Sequence, residues 1–106
     1  MTDFRKLFDL TGKNAVVLGA ATGIGRSSAH ALAGLGARVL CADLSGEGAE
    51  ATAVTIRESG GVAEALACDA AKSGDVNRLR DASVSRMGRI DVAVTTPGLN
   101  IRKTVF

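Results

Sequence analysis

A parallel α/β fold is predicted by three observations. Four short apolar runs alternate with three stretches of helical periodicity, every run-to-run connection passes through a helix, and a loop with three glycines follows the first run. Strands joined through helical crossovers lie parallel, and the crossovers are right-handed in nearly all proteins. The expected product is one doubly wound sheet in the order β-α-β-α-β-α-β, covered by helices on its faces.

Each element follows from its residues. The stretch NAVVL, Asn14 to Leu18, is a continuous apolar run, the mark of a strand buried on both faces. After the glycine loop, IGRSSAHALAGLG predicts a helix with Ile24, Ser28, Ala31, Leu32 and Leu35 on its packing face and Gly36 at its stop. ARVLCAD is a second strand. The next helix has Ser45 as candidate N-cap and Gly60-Gly61 as terminator. VAEALACD reads as a third strand. SGDVNRLRDASVSRMG reads as a third helix with Val76, Leu79, Ser83 and Met87 on one side and Gly88 closing it. IDVAVTT is the fourth strand, followed by the turn signal Pro97-Gly98.

The loop after the first strand is Gly19-x-x-x-Gly23-x-Gly25. In open α/β sheets, ligands bind at the carboxyl ends of the strands, where such a loop sits. Gly19 permits a tight exit from the strand, and Gly23 has no side chain to keep a pyrophosphate from the backbone amides. Gly25 lets the helix lie close on the strand. The helix start presents N–H groups and a partial positive charge to an anion. Eighteen positions after Gly25, Asp43 ends the second strand. An acid there accepts hydrogen bonds from ribose hydroxyls and repels a 2′-phosphate. Asp69, ending the third strand, stands where it can reach an adenine amino group.

At 106 residues the chain is long enough for one small domain, 1–106, and not for two. Its 13 basic residues are scattered among 11 acidic ones, giving a net charge of +2 and no stripe for nucleic acid. No apolar run nears the ~18 residues of a membrane span, and the polar start lacks a signal-peptide core. Cys41, Cys68 and the lone His30 lack ligand spacing, so no metal site is expected, and the cysteines read as buried free thiols of a reducing cytoplasm. His30 is expected to face solvent.

Taken together, LGAATGIGR, CADLS, ACDAA and GRIDVAVTTPG resemble the N-terminal half of the short-chain dehydrogenase/reductase family, in the family's order and spacing. The resemblance implies a Rossmann-like dinucleotide-binding domain, here a partial one ending after the fourth strand. Its implied cofactor-binding set is Gly19, Thr22, Gly23, Ile24, Gly25, Asp43, Leu44, Asp69, Ala70, Thr95, Thr96, Pro97 and Gly98. Asp43 and the non-basic Thr22 imply NAD in preference to NADP. The chain departs from the family at Leu18, where a threonine is usual, and at Thr95-Thr96-Pro97-Gly98, which stands for Asn-Asn-Ala-Gly. There Pro97 also removes a backbone donor.

The family's serine, tyrosine and lysine lie beyond the fifth strand, and this chain contains no tyrosine. No catalytic residue is therefore expected within it, and the chain alone is expected to be inactive. The implied parent is an oxidoreductase moving hydride between nicotinamide and an alcohol or carbonyl substrate, cytoplasmic and homo-oligomeric. The fourth strand is expected to expose an edge through which the chain self-associates. A non-catalytic nucleotide-binding or assembly module is the alternative for the chain by itself, and an adenosyl-dependent methyltransferase domain a third possibility.

Overall fold

The computed structural model describes residues 4–96. Its elements, in chain order, are α1 (Phe4–Leu7), β1 (Asn14–Leu18), α2 (Gly23–Gly34), β2 (Arg38–Asp43), α3 (Gly46–Glu58), β3 (Val62–Ala67), α4 (Ser73–Met87) and β4 (Val92–Thr95). The short α1 lies in a stretch whose sequence predicts no element. β4 starts at Val92 instead of Ile90, although Ile90 still packs against the core.

The four strands form one parallel sheet in the order β3-β2-β1-β4. The chain thus builds outward from β1 through β2 to β3, then crosses back to place β4 on the other side of β1. Among the described residues, β4 pairs with β1 alone.

The two-residue period of the strands divides the core. Ala15, Val17, Val39, Cys41 and Ala63 meet α2 and α3 through Ala29, Ala49, Ala53 and Ile56. Val16, Leu18, Leu40 and Ala42 point the other way, toward Leu79 and Met87 of α4. All five residues of β1 are buried, because it is interior and covered on both faces. Both cysteines are buried free thiols.

The helix ends are set locally. Ser45 accepts a hydrogen bond from the Gly48 N–H (3.0 Å), capping α3. Gly36 (φ +105°) and Gly88 (φ +90°) take left-handed conformations that end α2 and α4.

The predicted face of α2 is corrected by the packing. Gly25 and Ala29 are its buried residues, with Leu32 and Ala33 against the same cluster, whereas Ile24 is 76% exposed and Leu35 41%. A helix contacting a sheet through glycine and alanine comes close enough to exclude larger side chains from the contact line, which leaves Ile24 outside it. Val76 on α4 is likewise exposed, and Leu79 and Ser83 carry the burial.

Candidate functional site

The strand order reverses at β1, whose neighbours β2 and β4 belong to opposite windings of the chain. Loops leaving the carboxyl ends of strands on either side of such a reversal diverge and leave a crevice. The structure has a cleft of about 540 Å³ there. Gly19, Thr22, Gly23, Ile24 and Gly25 line it from the glycine loop. Asp43 and Leu44 line it from the end of β2, Asp69 and Ala70 from the end of β3, and Thr96 from the end of β4. Thr95, in β4, does not line it, and Pro97 and Gly98 lie outside the described residues.

The three glycines differ in their geometry. A Cβ on Gly25 would overlap the Gly19 carbonyl oxygen and lie 2.6 Å from its carbon, so α2 rests directly on the strand exit. Gly19 (φ +102°) turns against the backbone of Thr96, again with no room for a side chain. Gly23 (φ +57°) has nothing within 4 Å of its Cβ position. Its side faces open space in the cleft, and a side chain would fill that space.

Thr22 stands at the N-cap of α2 in extended conformation, yet its side chain makes no capping bond. The first-turn N–H groups of α2 are therefore left at the cleft without a side-chain acceptor. With the partial positive charge of a helix start, they suit an anion such as pyrophosphate.

Asp43 is held on both oxygens. Its Oδ2 accepts the Ala21 N–H and its Oδ1 accepts the Ser45 N–H, each at 3.0 Å. A carboxylate offers roughly four lone-pair sites, so about two remain for hydroxyl donors entering from the cleft. Asp69 has a comparable anchor: its Oδ1 accepts the Ala71 N–H at 2.9 Å, and its own N–H donates to Asp75 Oδ2 at 2.9 Å. That bond, followed by the contact with Arg78, holds the Asp75 carboxyl below the usual range. Cys68 also lines the cleft, but burial, with the charges of Asp75 and Asp69, pushes its thiol up and keeps it protonated.

One buried polar residue escapes the sequence patterns. Thr52, on the packed face of α3 and 1% exposed, donates to the Ala20 carbonyl at 2.8 Å. Its only signal in sequence is a hydroxyl among Ala49, Ala53 and Ile56 at helical spacing. His30 is also corrected: it is half-buried, with Nε2 at 2.9 Å from Thr55 Oγ1, because α3 packs beside that face of α2. Among the described residues no cluster of three metal-ligating side chains occurs, and no helix is long and apolar enough to cross a membrane.

The reversed parallel sheet and the glycine-lined cleft at its strand ends define a Rossmann-like α/β domain. The chain belongs to the short chain dehydrogenase family, whose sequence profile matches residues 13–105. It is 44% identical over 92 residues to D-threitol dehydrogenase of Mycolicibacterium smegmatis, a match covering 87% of this chain and 35% of that protein. It is 34% identical over 89 residues to 7α-hydroxysteroid dehydrogenase of Escherichia coli, covering 84% of this chain and 35% of the relative. Among solved structures, it resembles a 7α-hydroxysteroid dehydrogenase complexed with NADH and 7-oxo glycochenodeoxycholic acid. The TM-score is 0.83 at 31% identity, covering 88% of this chain and 36% of that one. The chain spans about a third of the length of these relatives.

Proposed function

We propose that this chain binds the adenosine and pyrophosphate portions of a nicotinamide dinucleotide, NAD in preference to NADP, as part of a hydride-transferring oxidoreductase. The observation that carries the proposal is the cleft itself. An uncapped helix start, an open Gly23 and the strand-end carboxylate of Asp43 converge there. The NADH bound by the structurally similar 7α-hydroxysteroid dehydrogenase supports it.

The nicotinamide supplies or accepts the hydride when the dinucleotide is bound. The chain's own residues bind and orient. The N–H groups at the start of α2 hold the pyrophosphate, and Gly19, Gly23 and Gly25 keep the backbone close to it. Asp43 accepts from the ribose hydroxyls, beside Leu44. Asp69 and Ala70 flank the adenine, and the segment Thr95-Thr96-Pro97-Gly98 is assigned to ribose contacts by the family resemblance. Asp43 also excludes a 2′-phosphate, since like charges a few ångströms apart cost on the order of 1 kcal/mol or more even in a solvated cleft.

The 106 residues form a single dinucleotide-binding unit in this proposal. The alcohol or carbonyl substrate, a cytoplasmic location and a homo-oligomeric parent belong to it as well. The absence of tyrosine gives the chain alone no phenolic acid–base group. By itself it is therefore proposed to bind nucleotide without turnover, as a nucleotide-binding module would. Calorimetric titration of the chain with NAD and with NADP is the test. Tighter binding of NAD is expected. Equal or tighter binding of NADP overturns the preference, and no binding of either overturns the dinucleotide assignment.

A further inference from the structure

One peptide group of the glycine loop, between Ala20 and Ala21, is gripped at both ends by side chains from other elements. Its carbonyl accepts the Thr52 hydroxyl of α3 at 2.8 Å, and its N–H donates to Asp43 Oδ2 at the end of β2 at 3.0 Å. Ala20 and Thr52 are both almost fully buried, so the bond between them is shielded from competing water, while the Asp43 bond is half-buried. Gly48 lets α3 approach: a Cβ there would lie 2.6 Å from the Ala21 Cβ.

The grip continues into α2. Thr55 Oγ1 donates its one proton to the Thr52 carbonyl at 2.8 Å, so His30 Nε2, 2.9 Å away, must be the donor to Thr55. The helix that begins at Gly23 is thereby tied to the same turn of α3 that holds the loop leading into it. A peptide fixed at both its C=O and its N–H cannot rotate about the flanking bonds, and the next residues, Thr22 and Gly23, inherit its orientation.

We infer that Thr52 is a positioning residue of the glycine loop, acting with Asp43 through the Ala20–Ala21 peptide to aim the N–H groups of Thr22 and Gly23 into the cleft. Thr52 does not line the cleft itself. Its consequence for affinity rests on the dinucleotide assignment proposed above. Asp43 has two duties in this arrangement, so a substitution that removes its charge also loosens the loop.

The test compares Thr52→Val, which keeps the shape and removes the donor, with Thr52→Ser, which keeps the donor. The full chain is followed by residue-resolved amide hydrogen exchange and by titration with NAD. Thr52→Val is expected to speed exchange by about tenfold or more at Ala20, Ala21 and Arg26, the loop amides that donate hydrogen bonds, and to weaken NAD binding by a similar factor. Thr52→Ser is expected to stay near the parent chain in both. A merely structural role would instead raise exchange throughout β1 and β2 together. Should Thr52→Val fail to fold, Thr52→Ala removes the same donor and takes its place. Unchanged loop exchange in the donor-free variant, or equal damage from Thr52→Ser, overturns the inference. If the parent chain takes up no NAD, the dinucleotide assignment falls, while loop exchange still decides whether Thr52 positions the loop.

Discussion

Replacing Gly25 with alanine sets two effects of opposite sign against each other. In a helix interior, Gly→Ala ordinarily stabilises by about 0.5–1 kcal/mol, because glycine loses more backbone freedom on folding. Here the new methyl would overlap the Gly19 carbonyl oxygen, lie 2.6 Å from its carbon and 2.7 Å from Thr96 Oγ1. Two of those atoms are backbone at the exit of a fully buried strand, so neither can swing aside. Restoring ordinary contact of roughly 3.5 Å with the Gly19 oxygen requires α2 to retreat by more than about 1.5 Å. That gap would run along the line where Ala29, fully buried, meets the sheet, forfeiting about half or more of the dispersion contact there. Overpacking of this kind costs about 1–3 kcal/mol, and with no flexible side chain to absorb it the upper part of the range applies. The net expectation is a loss of about 2 kcal/mol, or roughly 10 °C in Tm for a chain of this size. Thermal unfolding followed by circular dichroism measures it directly. A Tm equal to or above that of the parent would show that the helix does not rest on the strand exit as described.

Other consequences follow from the same geometry. Gly23→Val has room for its side chain, so it should cost only about 1–2 kcal/mol from the left-handed backbone while removing NAD binding; a variant that folds and binds NAD normally would reduce Gly23 to a turn residue. Acid should destabilise the fold in a defined window. The Asn14 N–H and then Arg89 hold the Asp91 carboxyl below its ordinary value, as the Asp69 N–H and Arg78 do for Asp75. Their contribution is complete above the unfolded carboxylate pKa of about 4 and is lost as the pH falls through the lower folded values. Tm measured from pH 7 down to 2 should hold nearly level until about pH 4 and then drop, less steeply in Asp91→Asn; a level profile to pH 2 contradicts the assignment. Burial, reinforced by Glu50, pushes the Cys41 thiol up to about 11. A disulfide reagent at pH 8 should therefore label Cys41 only on unfolding, and rapid labelling of the native chain would be the contrary result.

The features that sequence alone determined are those encoded by neighbours a few residues apart. NAVVL announces an interior strand because four consecutive apolar residues, Ala15 to Leu18, need two covered faces. Ser45 and Gly48 make a cap within four positions, and Gly36 and Gly88 stop helices where they stand. The parallel sheet follows from the alternation of runs and helices, and the spacing of the three glycines from strand to helix already marks the loop that lines the cleft. Tertiary structure decided what depends on residues far apart in the chain. That Gly25 touches Gly19 while Ile24 is left in solvent depends on how closely α2 approaches the sheet, which helical spacing does not encode. His30 finds Thr55, and Thr52 finds Ala20, only because α2 and α3 lie side by side on one face. Asp43 is legible as a strand-ending acid, but its hold on Ala21 across 22 positions is not. A hydrogen bond of 3 Å between distant segments is fixed by the packing of whole elements, and no local pattern carries that distance.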